Sequence, residues 1–73
     1  MPLTINDMLP NQIGEISSIE DSYMKSRMLE MGFRAGQSIK VLFKAPLSGP
    51  VAVQMLDCIL ALREEEACLI KIK

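Results

Sequence analysis

The chain contains no histidine and no tryptophan. Without histidine it lacks the side chain that most often exchanges a proton near neutral pH, and the commonest nitrogen ligand for a metal. Cysteine is scarce as well, with Cys58 and Cys68 the only two. Neither has an adjacent cation to activate a thiolate, Cys-x-x-Cys spacing is absent, and no histidine completes a tetrahedral set. Both read as small hydrophobes on consecutive strands, reduced in the cytoplasm. An enzyme is therefore not expected, and neither a cofactor nor a metal ligand set.

Other absences narrow the partners. Tyr23, Phe33 and Phe43 are the only aromatics, too few for the stacking platforms of an RNA-binding barrel. Eight basic and nine acidic residues, net −1, are spread along the chain, so the footprint of a phosphate-backbone binder is missing. Nucleic acid is not an expected partner. The longest uncharged run, Ala45 to Leu56, is interrupted by Pro46, Gly49 and Pro50, which excludes direct membrane insertion. The opening MPLTINDM lacks the basic region and apolar core of a signal peptide.

What is present is 73 residues, 49% of them hydrophobic, enough for a single domain over 1–73 with a modest core. Aliphatic side chains and six methionines must fill it. Residues 1–12, with Pro2, Asn6, Asp7, Pro10 and Asn11, read as a leader with a short apolar patch at Leu3, Ile5, Met8 and Leu9; the barrel proper is 13–73. Ile13 to Glu20 reads as a first strand, with Gly14 marking a bulge or a close approach of two backbones.

Asp21-Ser22 can cap a helix, and Met24, Met28 and Met31 form an apolar stripe at helical spacing, facing the core by default. Gly32 ends that helix. Ser38 to Ala45 alternates strictly, placing Ile39, Val41 and Phe43 on one face and Lys40, Leu42 and Lys44 on the other. Pro46-Leu47-Ser48-Gly49-Pro50 breaks the strand, with glycine supplying a positive φ. Val51 to Leu56 and Cys58 to Leu62 are further strands, Glu64 to Glu66 a solvated polar turn, plain or helical, and Ala67 to Lys73 a last strand with Ile70 and Ile72 on one face. The class is mainly β: about five short strands and one inserted helix, closed as a small barrel. Leu47, at the tip of the exposed loop, is either ordinary loop chemistry or an anchor for a partner.

Arg27-Met28-Leu29-Glu30-Met31-Gly32-Phe33, Ala35-Gly36 with Ile39 and Val41, Ala45-Pro46-Leu47-Ser48-Gly49-Pro50, Leu60-Ala61-Leu62-Arg63, and Glu66-Ala67 with Ile70 and Ile72 together resemble the FeoA family. The ordered set covers nearly the whole chain. The resemblance implies an SH3-like small β-barrel with a helix after the first strand. It also implies a small cytosolic accessory of bacterial ferrous iron uptake, held at the inner membrane by its partner, the transporter FeoB with its GTP-binding domain. The expected contact set is Pro46, Leu47, Ser48, Gly49 and Pro50 with Arg27 and Arg34. Family members usually carry Gly-Asp-Pro where this chain has Ser48-Gly49-Pro50, so any contact from that aspartate is missing. Asp57-Cys58 likewise replaces a small or glycine residue.

Arg27, Arg34 and Arg63 raise a narrower idea, an arginine finger acting on GTP hydrolysis. A carrier binding the transition metal directly is the competing class, and a stand-alone relative of the SH3-like domain of iron-dependent repressors is a further one. Repressors add a helix-turn-helix and a dimerisation domain, for which a chain starting at Met1 leaves no room. A weak homo-oligomer is compatible with the composition.

Overall fold

Ile39 and Val41 alternate with Lys40 and Leu42, and this alternation builds the strand from which the rest of the sheet extends. In the computed structural model, which describes residues 3–73, that strand is β3 (Ser38–Lys44). Around it lie β1 (Leu3–Thr4), a 3-10 turn (Ile5–Asp7), β2 (Ile13–Ile19), α1 (Lys25–Glu30), β4 (Val51–Met55), β5 (Cys58–Leu62), α2 (Glu64–Ala67) and β6 (Ile70–Ile72). Every ladder is antiparallel, and the spatial order is β1-β6-β2-β3-β4-β5.

The mainly β class stands; among the described residues there are six strands rather than about five, and a second short helix. Among the described residues no ladder joins β1 to β5. The sheet nevertheless folds over one core. Ile16, Ile70 and Ile72 from one end pack in the same cluster as Val41, Val53 and Leu62 from the other.

Two bulges decide which side chains reach that core. On β2 the register to β6 slips between Ile16 and Ser18, so Ser17 is an extra residue. This lets Ile16 and Ile19, an odd spacing apart, both point inward. The bulge is at Ser17, whereas Gly14 pairs regularly with Ile39. Gly14 marks a close approach of side chains instead: a Cβ there would lie 2.8 Å from Ile72 Cγ2 and 3.2 Å from Met8 Cε. On β3 the partners of Val41 and Phe43 are the adjacent residues Val53 and Ala52, so Leu42 is extra. The alternation therefore breaks after Val41, and Phe43, expected beside Ile39 and Val41, turns outward and is 57% exposed.

The helix is shorter than the Met24 to Met31 stripe that marked it. Ser22 Oγ accepts from the Met24 N–H at 3.0 Å, but that turn precedes α1, and Asp21 pairs with Lys25 instead of capping. The far end is as expected. Gly32 sits at φ +102, its N–H donates to the Leu29 carbonyl at 3.0 Å, and the Phe33 N–H donates to the Met28 carbonyl at 3.2 Å. This is a Schellman stop, and the Phe33 and Met28 side chains that accompany it are wholly buried. Met24 and Met31 are half-buried beside them.

Of the expected leader, Met1 and Pro2 lie outside the described residues, and the remainder belongs to the packed fold. Leu3–Thr4 pairs with β6, Ile5 and Met8 are buried, and the Asn11 N–H donates to the Val41 carbonyl at 2.7 Å. Lys44 Nζ donates to the Asn6 carbonyl at 2.6 Å. The Glu64–Glu66 stretch is helical, and Glu66 is not solvated: it is 5% exposed, and its Oε1 accepts from the Arg63 N–H at 2.8 Å, satisfying a free donor at the start of α2. Ala67 belongs to α2 rather than to the last strand, and Ile70 and Ile72 share the buried face of β6.

Candidate functional site

The connection between β3 and β4 is held by two backbone bonds, Ala45 N–H to the Pro50 carbonyl at 3.0 Å and Gly49 N–H to the Pro46 carbonyl at 3.2 Å. The inner bond closes a four-residue turn whose central residues, Leu47 (φ 59) and Ser48 (φ 58), both lie in the left-handed region. Two positive φ values in succession form the type I′ pattern, normally filled by Asn-Gly. For side chains with a Cβ, each such residue costs about 1–2 kcal/mol.

Gly49 does not supply the positive φ. It supplies room, because a Cβ there would lie 2.7 Å from Ala45 Cβ and 3.0 Å from the Pro46 carbonyl oxygen. The strain is imposed by the paired strands and by Pro46, whose ring fixes its own φ. Its result is a rigid tip on which Leu47 is 98% exposed.

Behind the tip lies an open groove of about 500 Å³ lined by Ser48, Gly49, Pro50, Ala61, Arg63, Glu64 and Glu65. The registers explain this neighbourhood: Val51 pairs with Leu62, so Pro50 and Arg63 stand just beyond the last rung of the same ladder. One row inward, Phe43, Ala52 and Ala61 are aligned across β3, β4 and β5. Phe43 and Ala61 are exposed on that outer face. The next row, Ile13–Lys40–Gln54–Ile59, adds two more exposed apolar side chains.

The expected contact set therefore separates. Pro46 to Pro50 lies at one end of β3, whereas Arg27 on α1 and Arg34 in the following turn lie at the other, and seven residues of strand, about 20 Å, intervene. Both arginines are exposed, and among the described residues the ion pairs are Lys25–Asp21 and Lys73–Glu15. The arginine at the loop is Arg63, whose side chain makes neither of the pairings with Glu65 or Glu66 that adjacency in sequence suggests. Sequence reasoning missed Phe43 and Ala61, since no composition signal marks a bulge.

The cysteines are not strand neighbours. Cys58 opens β5 and is exposed, while Cys68 follows α2 and is half-buried. Burial, then the carboxylates of Glu64, Asp7, Glu20 and Glu65, push the Cys68 thiol above its ordinary value. That is the opposite of an activated thiolate. Among the described residues no three acidic or cysteine side chains gather into a metal-binding group, and no helix is long and apolar enough to cross a membrane.

The FeoA domain family matches residues 3–73. The chain belongs to the FeoA domain family. Its fold is likewise that of solved FeoA proteins. A FeoA-like protein from Clostridium acetobutylicum superposes with a TM-score of 0.91 at 25% identity, over 99% of this chain and 85% of that one. Iron(II) transport protein A from Clostridium thermocellum gives 0.89 at 26% identity, over 97% of this chain and 44% of that one. FeoA of Stenotrophomonas maltophilia, solved with zinc and described as a procaryotic SH3 domain protein, gives 0.85 at 24%, over 97% and 89%. No curated protein sequence matches the chain. The FeoA family is one of non-enzymatic transport accessory proteins.

Proposed function

We propose that this FeoA-domain chain is an accessory of bacterial ferrous iron uptake that binds and modulates the FeoB transporter from its cytoplasmic side. The observation that carries the reading is the β3–β4 tip, where backbone strain holds Leu47 out at 98% exposure at the end of the strand that also exposes Phe43. A soluble domain gains nothing from a strained apolar tip unless a partner covers it. Desolvating a leucine and a phenylalanine supplies the kind of anchor that dominates small interfaces. Arg63, across the groove, is placed to meet an acidic group on the partner, while Arg27 and Arg34 serve a second contact at the α1 end. We also infer that the two ends of the sheet curl toward one another as an SH3-like barrel, which fits the single core they share.

The test is co-purification with detergent-solubilised FeoB of the same organism, with and without a GTP analogue. The wild-type chain is expected to be retained, and Leu47→Asp to be lost at least tenfold, the scale of a central apolar anchor. Retention of Leu47→Asp at wild-type stoichiometry would remove the tip from the interface. GTPase rates that are identical with and without the chain would dismiss an arginine finger.

A further inference from the structure

Sheet edges in soluble proteins are ordinarily short, charged or interrupted by proline, because their free N–H and C=O groups template pairing with another chain. Among the described residues the two ends of this sheet differ in that respect. β1 is a two-residue strand. β5 runs Cys58-Ile59-Leu60-Ala61-Leu62, with neither a charge nor a proline, and pairs only with β4.

The ladder fixes which backbone groups are free. The Ala45–Pro50 bond sets the phase of the β3–β4 pairing near the loop, so Val51, Val53 and Met55 turn their amides toward β5. Their partners Leu62, Leu60 and Cys58 turn theirs back toward β4. Ile59 and Ala61 are therefore left with N–H and C=O groups directed away from the sheet, and their side chains are exposed on its outer face.

We propose that β5 pairs with β5 of a second copy of this chain, antiparallel about a two-fold axis at Leu60. This centre sets Ile59 opposite Ala61 of the second copy and Ala61 opposite its Ile59, so the two outward residues exchange backbone bonds twice. Its flanks are complementary: Asp57 of each copy stands opposite Arg63 of the other, two opposite-charge pairs from one sequence. The neighbouring in-phase centres lack this match. Centring on Ala61 places Asp57 opposite Glu65, and centring on Ile59 places Arg63 opposite Met55. A net charge of −1 adds little repulsion between copies. Five residues of edge form a small contact, so the dimer is weak, reversible and concentration-dependent. It joins two sheets into one and doubles the exposed outer face bearing Phe43, Ile59 and Ala61, which extends the proposed docking surface without depending on its partner.

Sedimentation velocity across a concentration series tests this with charge reversals. The wild-type chain is expected to show a monomer–dimer equilibrium. Asp57→Arg puts arginine opposite arginine twice, and Arg63→Asp does the same with aspartates. Each should weaken dimerisation on the order of tenfold. Mixed one to one, the two variants form a heterodimer with both pairs restored, and association should return to the wild-type level. Arg63→Asp keeps the backbone donor to Glu66, and circular dichroism of each variant checks its fold. A chain that is monomeric at every concentration overturns the proposal and leaves the edge to an extended segment of another protein. So does a dimer unmoved by either reversal, or one that the mixture fails to restore.

Discussion

The two ends of the sheet differ in how far charge accompanies their exposed apolar side chains. At the β1–β6–β2 end Ile16, Ile70 and Ile72 are buried, the exposed Leu3 and Ile13 are interspersed with Glu15, Lys71 and Lys73, and Lys73 reaches Glu15 at 2.8 Å. At the β3–β4–β5 end the inner face is equally apolar, yet Phe43, Ile59 and Ala61 occupy outward positions, and Leu47 stands beyond them. The first pattern is what folding alone requires. The second leaves apolar area in water that association would cover, and it is there that the proposed main contact lies.

The sharpest way to break the comparison is to truncate one isoleucine at each end. Ile70→Ala removes a wholly buried side chain and should cost about 2–5 kcal/mol in chemical denaturation. Ile59→Ala, on a side chain 66% exposed, should stay within about 0.5 kcal/mol. Comparable losses at the two positions would mean that the outer face of β5 is covered in the monomer. Next in size is Gly49→Ala, whose methyl meets Ala45 Cβ and the Pro46 carbonyl inside van der Waals distance; a loss of about 1–3 kcal/mol is expected.

How much of this was legible follows from where local rules apply. The Gly32 stop, the Ile39–Val41 alternation and the paired Ile70 and Ile72 depend on neighbours a few residues away, and all three were readable. Phe43 was not, because a single extra residue at Leu42 reverses every face after it, and that slip is set by the partner strand β4. Ile5 looked like part of a leader's patch because the elements its turn packs against, β6 and α2, lie roughly sixty residues away. Glu66 carries the same sequence signal as Glu64 and Glu65, and only the backbone amide of Arg63 tells it apart. Of the candidate site, the loop was visible as a loop. Its strain and its company, Phe43 and Arg63 rather than Arg27 and Arg34, were not.

Leu47→Gly separates stability from contact at the second end. Glycine accepts φ 59 without penalty, so the substitution should be neutral or stabilise by up to about 1 kcal/mol, once glycine's greater unfolded-state entropy is set against the relieved strain. Binding to FeoB should fall in the same variant. A destabilised Leu47→Gly would mean that the tip is held by side-chain packing, contrary to its exposure.

The smallest effect concerns the thiols, one at each kind of position. Cys58 is exposed on the open edge, and Cys68 is half-buried, its pKa raised by that burial and then by nearby carboxylates. Iodoacetamide should therefore label Cys58 well before Cys68, as resolved by mass spectrometry of peptides taken along the labelling time course. The raised pKa also fixes a pH dependence. Below the ordinary thiol value of 9.0 the Cys68 thiol is neutral in both folded and unfolded chains, so stability does not depend on it there. As pH rises through 9.0 the unfolded chain loses this proton first, and the folded state, which still holds it, loses stability until its own higher pKa is passed. Cys68→Ser should flatten that alkaline decline, while Cys58→Ser serves as the control for losing a thiol from the edge. A decline unchanged in Cys68→Ser would remove the thiol as its cause; Lys73, its own pKa raised by the bond to Glu15, contributes only at still higher pH.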